Sequence, residues 1–167
     1  MNLSPLPINA ALGAVKSALD SHRSVVVRAP TGSGKTTRLP PFLLDRDPRG
    51  ANLVIVSQPR RVAARAAAKR VAAERGGRLG DEVGYQVRFD SKCSPRTRLL
   101  FVTDGILLRR LQGDPFLPGV STLVFDEFHE RRLTSDLTLA LARDVQTAAR
   151  TNLEIVVMSA TLDAAPI

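Results

Sequence analysis

Short runs of β-branched and apolar residues alternate with helix-patterned segments along almost the whole of this 167-residue chain. That alternation predicts an α/β domain: a mainly parallel central sheet whose crossover helices flank it. The spacing predicts a helix over Asn9–Ser21, a strand at Val25–Arg28 and a helix over Lys35–Leu44. "DRDPRG" then breaks the chain through Pro48 and Gly50. Leu53–Ser57 reads as the next strand, and Val62–Arg75 as an Ala-rich helix stopped by Gly76 and Gly77. Strands at Val83–Phe89 and Leu99–Val102 follow, then a short helix, Gly105–Gln112. The series closes with strand Leu123–Phe125, helix Leu133–Ala149 and strand Ile155–Met158. With no repeat and no long linker, residues 1–167 read as one domain with a single core.

In such sheets ligands gather beyond the carboxyl ends of the strands, so the residues just after each strand carry the functional argument. After the first strand comes "APTGSGKTT", Ala29 to Thr37. A strand, a Gly-rich turn and a helix start leave backbone N–H groups aimed at one point, where the helix dipole adds positive charge. Gly32 and Gly34 tolerate the dihedrals of a curled loop and, lacking a Cβ, let the backbone approach the oxygens of a phosphate chain. Lys35 can reach the β- and γ-phosphates and the Thr36 hydroxyl can ligate Mg²⁺. The general pattern has glycine six positions before the lysine, where this chain has Ala29, so the loop alone is an imperfect match.

After Leu123–Phe125 comes "DEFHE". Ionisable residues directly behind an apolar strand make a poor core, which points to a site. Asp126 is placed to hold Mg²⁺, and Glu127 to orient and deprotonate an attacking water. Only two histidines, His22 and His129, are present and they lack zinc-ligand spacing. Ser159 and Thr161 follow the last strand, where hydroxyls serve equally well to cap a turn.

Net charge is +8 and the isoelectric point about 10.9, which favours a polyanionic partner. A general taste for arginine and alanine would give the same balance. A single cysteine, Cys93, rules out an internal disulfide, and apolar runs such as "LVIV" are far shorter than the ~18–20 residues of a membrane span. No signal peptide is evident, and a cytoplasmic setting is expected.

Taken in order, "APTGSGKTT", "SQPRRVAARAAAKRVAAE", "VGYQVRFD", "VTDGILLRR", "FDEFHERRLTSD" and "VMSATLD" resemble the first RecA-like domain of the DEAH-box group of superfamily 2 helicases. "DEFHER" with "LARDVQ" is most similar to the bacterial HrpB-type branch. The resemblance implies a three-layer RecA-like P-loop NTPase domain, ATP and Mg²⁺ as cofactors, and single-stranded RNA held by its backbone as partner. Lys35, Asp126 and Glu127 would be catalytic, and Thr31 to Thr37 would bind nucleotide. His129, Ser159 and Thr161 would couple nucleotide state to movement between domains. Arg70 matches a position that packs on adenine, although Arg70 and Glu74, four apart, would equally make a helix-surface ion pair. Arg60, Arg61, Arg88 and Thr103 match positions that touch the RNA backbone. Arg61, Arg65 and Lys69 share a helix face that is either part of that track or a solvated surface.

Two points shape expectation. The resemblance implies a second RecA-like domain beyond these residues, with arginine fingers worth ~10³–10⁵ in rate, so little turnover is expected from this chain alone. Phe128 replaces the usual alanine of the signature and should change packing more than chemistry. The rival reading is a non-catalytic nucleotide- and nucleic-acid-binding module. A small-molecule kinase would leave "DEFH" and "SAT" unexplained.

Overall fold

The computed structural model describes residues 4–46 and 52–161. The predicted break at Pro48 and Gly50 and the end of "VMSATLD" lie outside these residues. Five helices and seven strands are described: α1 (Leu12–His22), α2 (Lys35–Asp45), α3 (Arg61–Glu74), α4 (Asp104–Gly113) and α5 (Leu133–Ala148), with β1 (Ser24–Arg28), β2 (Leu53–Gln58), β3 (Val83–Val87), β4 (Asp90–Lys92), β5 (Leu99–Thr103), β6 (Val120–Phe125) and β7 (Glu154–Ser159). They form one sheet in the order β1-β7-β6-β2-β5-β3-β4. All pairings are parallel except β3 with β4.

The side-chain period of two sorts each strand between the layers. On β2, Val54 and Val56 join Leu19, Leu39, Ala64 and Val71 under α1, α2 and α3. Ile55, between them, packs with Leu107, Leu111, Leu139 and Ala142 under α4 and α5. Both faces of the central strands are therefore apolar, which is why they read as continuous hydrophobic runs. The alanines of α3 let that helix lie close, with Ala64 and Ala68 fully buried. Helix α2 continues through Pro40 and Pro41, each of which withholds one backbone donor from it.

Two expectations need correction. The strand predicted over Val83–Phe89 ends at Val87; the chain turns through Arg88 and Phe89 and returns as antiparallel β4. Phe89 takes the left-handed backbone with φ +65°, a conformation rare for a bulky residue and invisible to turn rules that look for Gly or Asn. The helix predicted over Asn9–Ser21 opens instead as a 3-10 turn, Pro7–Ala11, before α1 begins at Leu12.

Because the strands run parallel, their carboxyl ends share one edge. Arg28 pairs with Ser159, Ser57 with Phe125 and Gln58 with Thr103. The loops after β1, β2, β5, β6 and β7 therefore meet along a single rim.

Candidate active site

The loop between β1 and α2 curls because of two glycines. Gly32 has φ +78° and Gly34, the N-cap of α2, has φ +93°. A Cβ at Gly34 would also lie 2.6 Å from Leu6 Cδ1, so both backbone and space demand glycine there. No side chain caps α2, and its first N–H groups face the loop. Lys35 is 4% exposed and donates from Nζ to the carbonyls of Ala29 and Pro30 (2.9 Å to the latter). Ser33 is also buried, and its hydroxyl has no hydrogen-bond partner among the described residues. Ala29 sits comfortably in place of glycine: its φ is not positive, and its N–H donates to the Ser159 carbonyl at 3.1 Å, prolonging the sheet.

Asp126 follows β6 on the α2 side of the sheet and is 4% exposed. Its Oδ2 accepts from Thr36 Oγ1 and from Gln58 Nε2, each at 2.6 Å, and its Oδ1 accepts from the Glu127 N–H at 2.8 Å. Burial pushes its pKa up to about 6, with the Glu127 charge adding to the rise and the hydrogen bonds from Thr36, Glu127 and Gln58 opposing it. Glu127 adopts a left-handed backbone, φ +53°, which turns its carboxylate toward the loop. His129 Nε2 lies 3.4 Å from Glu127 Oε2, and its Nδ1 accepts a long hydrogen bond, 3.4 Å, from the Ala160 N–H. His129 thus joins the acidic pair to the segment after β7. There the buried Ser159 hydroxyl donates to the Thr161 carbonyl at 3.1 Å, the local turn contact that such hydroxyls favour. Phe128 points into the core, edge-on to Phe125 at 6.5 Å between ring centres.

A cleft of about 260 Å³ opens over the loop, walled by Leu6, Thr31, Thr36, Arg70 and Glu127. Arg70 borders this cleft, and its Nε donates to Glu74 at 2.9 Å, the helix-surface ion pair that the four-residue spacing offers. Glu74 also receives Arg38 Nη1 at 2.6 Å. A larger groove of about 450 Å³ lies elsewhere, between β1 and α5, walled by Val26, Leu139 and Val157; none of the loop residues borders it.

The nucleic-acid residues expected from the sequence flank the same rim. Arg60 precedes α3, with an exposed side chain 3.2 Å from Glu130. Arg61 opens α3 and Thr103 is the N-cap of α4. Arg88 lies on the β3–β4 turn with its guanidinium 4.7 Å from the Phe89 ring centre, and Phe89 itself is 90% exposed. In the Arg61, Arg65 and Lys69 stripe all three are exposed, and Arg65 pairs with Asp90 at 3.3 Å.

Several further contributors are given no role by the motifs of the sequence. Gln58 reaches Asp126; Leu6 packs on Gly34 while the Ile8 N–H donates to the Ser33 carbonyl at 3.1 Å. Asp104, also buried, accepts from Ser57 Oγ (2.6 Å) and Ser135 Oγ (2.5 Å), joining β2, α4 and α5. The polar pair "SQ" closing a buried apolar strand was the available signal for Gln58 and Ser57.

A mainly parallel sheet, helices on both faces and a glycine-cradled lysine beside an acidic pair define the RecA-like helicase fold. The crystal structure of Escherichia coli DEAH/RHA helicase HrpB superimposes with a TM-score of 0.89 at 47% identity, over 95% of this chain and 20% of that one. The DEAD/DEAH box helicase family pattern matches residues 10–167, and the chain belongs to that family. The ATP-dependent RNA helicase HrpB of Escherichia coli K12 is 47% identical over 161 residues, 96% of this chain and 20% of that protein. Mouse putative ATP-dependent RNA helicase DHX57 is 48% identical over 151 residues, 87% of this chain and 11% of that protein. The chain thus spans a fifth or less of the length of these relatives. Among the described residues, no helix is long and apolar enough to cross a membrane.

Proposed function

We propose that this chain is the nucleotide-binding RecA-like domain of an ATP-dependent RNA helicase, the first of two in a longer cytoplasmic protein, occupying residues 1–167. The observation that carries this is the convergence of Lys35, Thr36 and Glu127 on one cleft, with the buried Asp126 carboxylate hydrogen-bonded to Thr36 behind it. The residues fit a Mg²⁺-bound nucleoside triphosphate. The orphaned Ser33 hydroxyl, the positive-φ glycines and the buried ammonium of Lys35 suit phosphate oxygens, while Thr36 and Asp126 offer the hard oxygen donors that Mg²⁺ takes. Bound there, Mg²⁺ would supply the positive charge that neutralises charge developing on the phosphate oxygens.

The chain's own residues supply the rest. Lys35, now on the Ala29 and Pro30 carbonyls, would donate to phosphate oxygens instead, and Thr36 and Asp126 would hold the cation. Glu127 orients the attacking water and accepts its proton. His129, Ser159 and Thr161 relay the state of that cleft toward the second RecA-like domain. Arg70 borders the base side. Arg60, Arg61, Arg88 and Thr103 hold single-stranded RNA through phosphate and sugar, without reading sequence. In the longer protein, closing on ATP and reopening after hydrolysis would move the domains along the strand.

The test is Mg-ADP binding and ATP turnover by this chain, with and without single-stranded RNA. Binding without appreciable turnover is expected, and Lys35→Ala should weaken binding. In the longer protein Glu127→Gln should leave binding nearly intact and abolish hydrolysis. A longer protein unable to hydrolyse ATP would sink the proposal, and equal loss of binding in both variants would remove Glu127 from its role.

A further inference from the structure

Strand β2 ends in two polar residues whose side chains leave on opposite faces. Ser57 turns toward α4 and α5 and bonds Asp104; Gln58 turns toward α2 and donates its amide to Asp126 Oδ2 at 2.6 Å. Gln58 is 2% exposed. At such a position Leu or Met would pack without the desolvation cost of an amide, so packing gives no reason for glutamine. Its reason lies at Asp126. That carboxylate takes Thr36 and Gln58 on one oxygen and the Glu127 N–H on the other. Of these donors, Thr36 stands on the first turn of α2, and the Glu127 N–H is local. Among the described residues, Gln58 is the donor that ties the carboxylate to the sheet.

Gln58 also lies one residue from the segment proposed to hold RNA. Pro59, Arg60 and Arg61 follow directly, Arg132 donates to the Pro59 carbonyl, and Gln58 pairs in register with Thr103 on β5. We infer that Gln58 is a positioning residue: its amide fixes the Asp126 carboxylate for the cation and ties that carboxylate to the Pro59–Arg61 segment. The inference rests on the nucleotide reading above. A strand displaced at Arg60 or Arg61 by a bound phosphate backbone shifts the amide, and with it the carboxylate, without any contact between RNA and nucleotide.

The experiment measures the affinity of this chain for a fluorescent ADP with and without Mg²⁺, in wild type, Gln58→Met and Gln58→Leu, with thermal melting as a check on folding. Loss of a hydrogen bond to a carboxylate should cut the Mg²⁺-dependent gain in affinity about tenfold, while metal-free affinity changes far less. If either folded variant keeps the full gain, Gln58 does not position the carboxylate. Should both variants fail to fold, the wild-type chain still decides: side-chain amide resonances of ¹⁵N-labelled Gln58 should move when Mg²⁺ is added to the ADP complex and again when a uridine oligonucleotide is added. Stationary resonances overturn the inference. A wild-type chain with no Mg²⁺-dependent gain, or one whose binding survives Lys35→Ala undiminished, refutes the nucleotide reading itself.

Discussion

Thr36 Oγ1 lies 2.6 Å from Asp126 Oδ2 although 90 positions separate the two residues. The bond joins the first turn of α2 to the loop after β6, and its geometry has a direct consequence for metal binding. A hydroxyl can donate its proton to the carboxylate and still offer a lone pair to a cation. Thr36→Ala removes both, so the Mg²⁺-dependent gain in ADP affinity should fall by about tenfold or more. Thr36→Ser should restore most of it. Titrations of ADP with and without Mg²⁺ check this; an unchanged gain in Thr36→Ala would take Thr36 out of the cation site.

Asp126 makes stability depend on pH in an unusual direction. Burial raises its folded pKa to about 6 from 3.8, so between those values the folded state holds the proton more tightly than the unfolded chain. Stability from this group therefore falls as pH rises through that window, and the penalty is complete above about 6. The gap corresponds to roughly 3 kcal/mol at about 1.4 kcal/mol per unit. In the absence of metal, Asp126→Asn should be more stable than wild type at pH 7.5, by about 1–3 kcal/mol, with the difference closing near pH 4. Urea unfolding at both pH values measures it. A variant less stable than wild type at pH 7.5 would show that the Thr36, Gln58 and Glu127 donors outweigh burial.

The layered fold and the acidic rim were legible because they rest on local patterns. Apolar strands buried on both faces cannot alternate with polar residues, and a carboxylate pair behind such a strand has no place in a core. Ala29, where the general loop pattern has glycine, keeps a backbone outside the positive-φ region, so this position needs no glycine. What sequence could not supply were bonds between distant positions. Gln58 meets Asp126 across 68 positions and Asp104 meets Ser57 across 47, and no periodicity encodes which strand ends become neighbours. The turn at Phe89 was hidden for another reason: its left-handed backbone is held by surrounding structure, against the preference of the residue. Leu6 carried no signal, since only the approach of the amino-terminal segment to Gly34 gives it a place at the cleft.

Asp104 should prove a stability residue. Its carboxylate is buried between the hydroxyls of Ser57 and Ser135 at the start of α4, where a negative charge also suits the helix dipole. Asp104→Ala leaves two buried hydroxyls without their acceptor, and unfolding free energy should drop by about 2–4 kcal/mol. Asp104→Asn, which keeps one acceptor oxygen, should cost less. Chemical denaturation with an unchanged slope would check both, and a loss under about 0.5 kcal/mol for alanine would place Asp104 among ordinary surface substitutions.

Arg60 offers a test of the RNA face that separates charge from nucleotide chemistry. Its guanidinium is held 3.2 Å from Glu130, within the same loop that carries Asp126 and Glu127. Arg60→Ala combined with Arg61→Ala should weaken binding to uridine, adenosine and mixed oligonucleotides alike, because phosphate contacts carry no sequence information. The slope of log affinity against log salt should flatten by about 0.7 for each phosphate that the variant no longer neutralises. Glu130→Gln should act the other way, releasing Arg60 from an exposed pair worth at most about 1 kcal/mol and tightening RNA up to about fivefold. Filter binding at several salt concentrations reads both variants, with ADP affinity as the control. If the double variant loses ADP affinity while RNA binding persists, these arginines serve the nucleotide and the RNA track lies elsewhere on the rim.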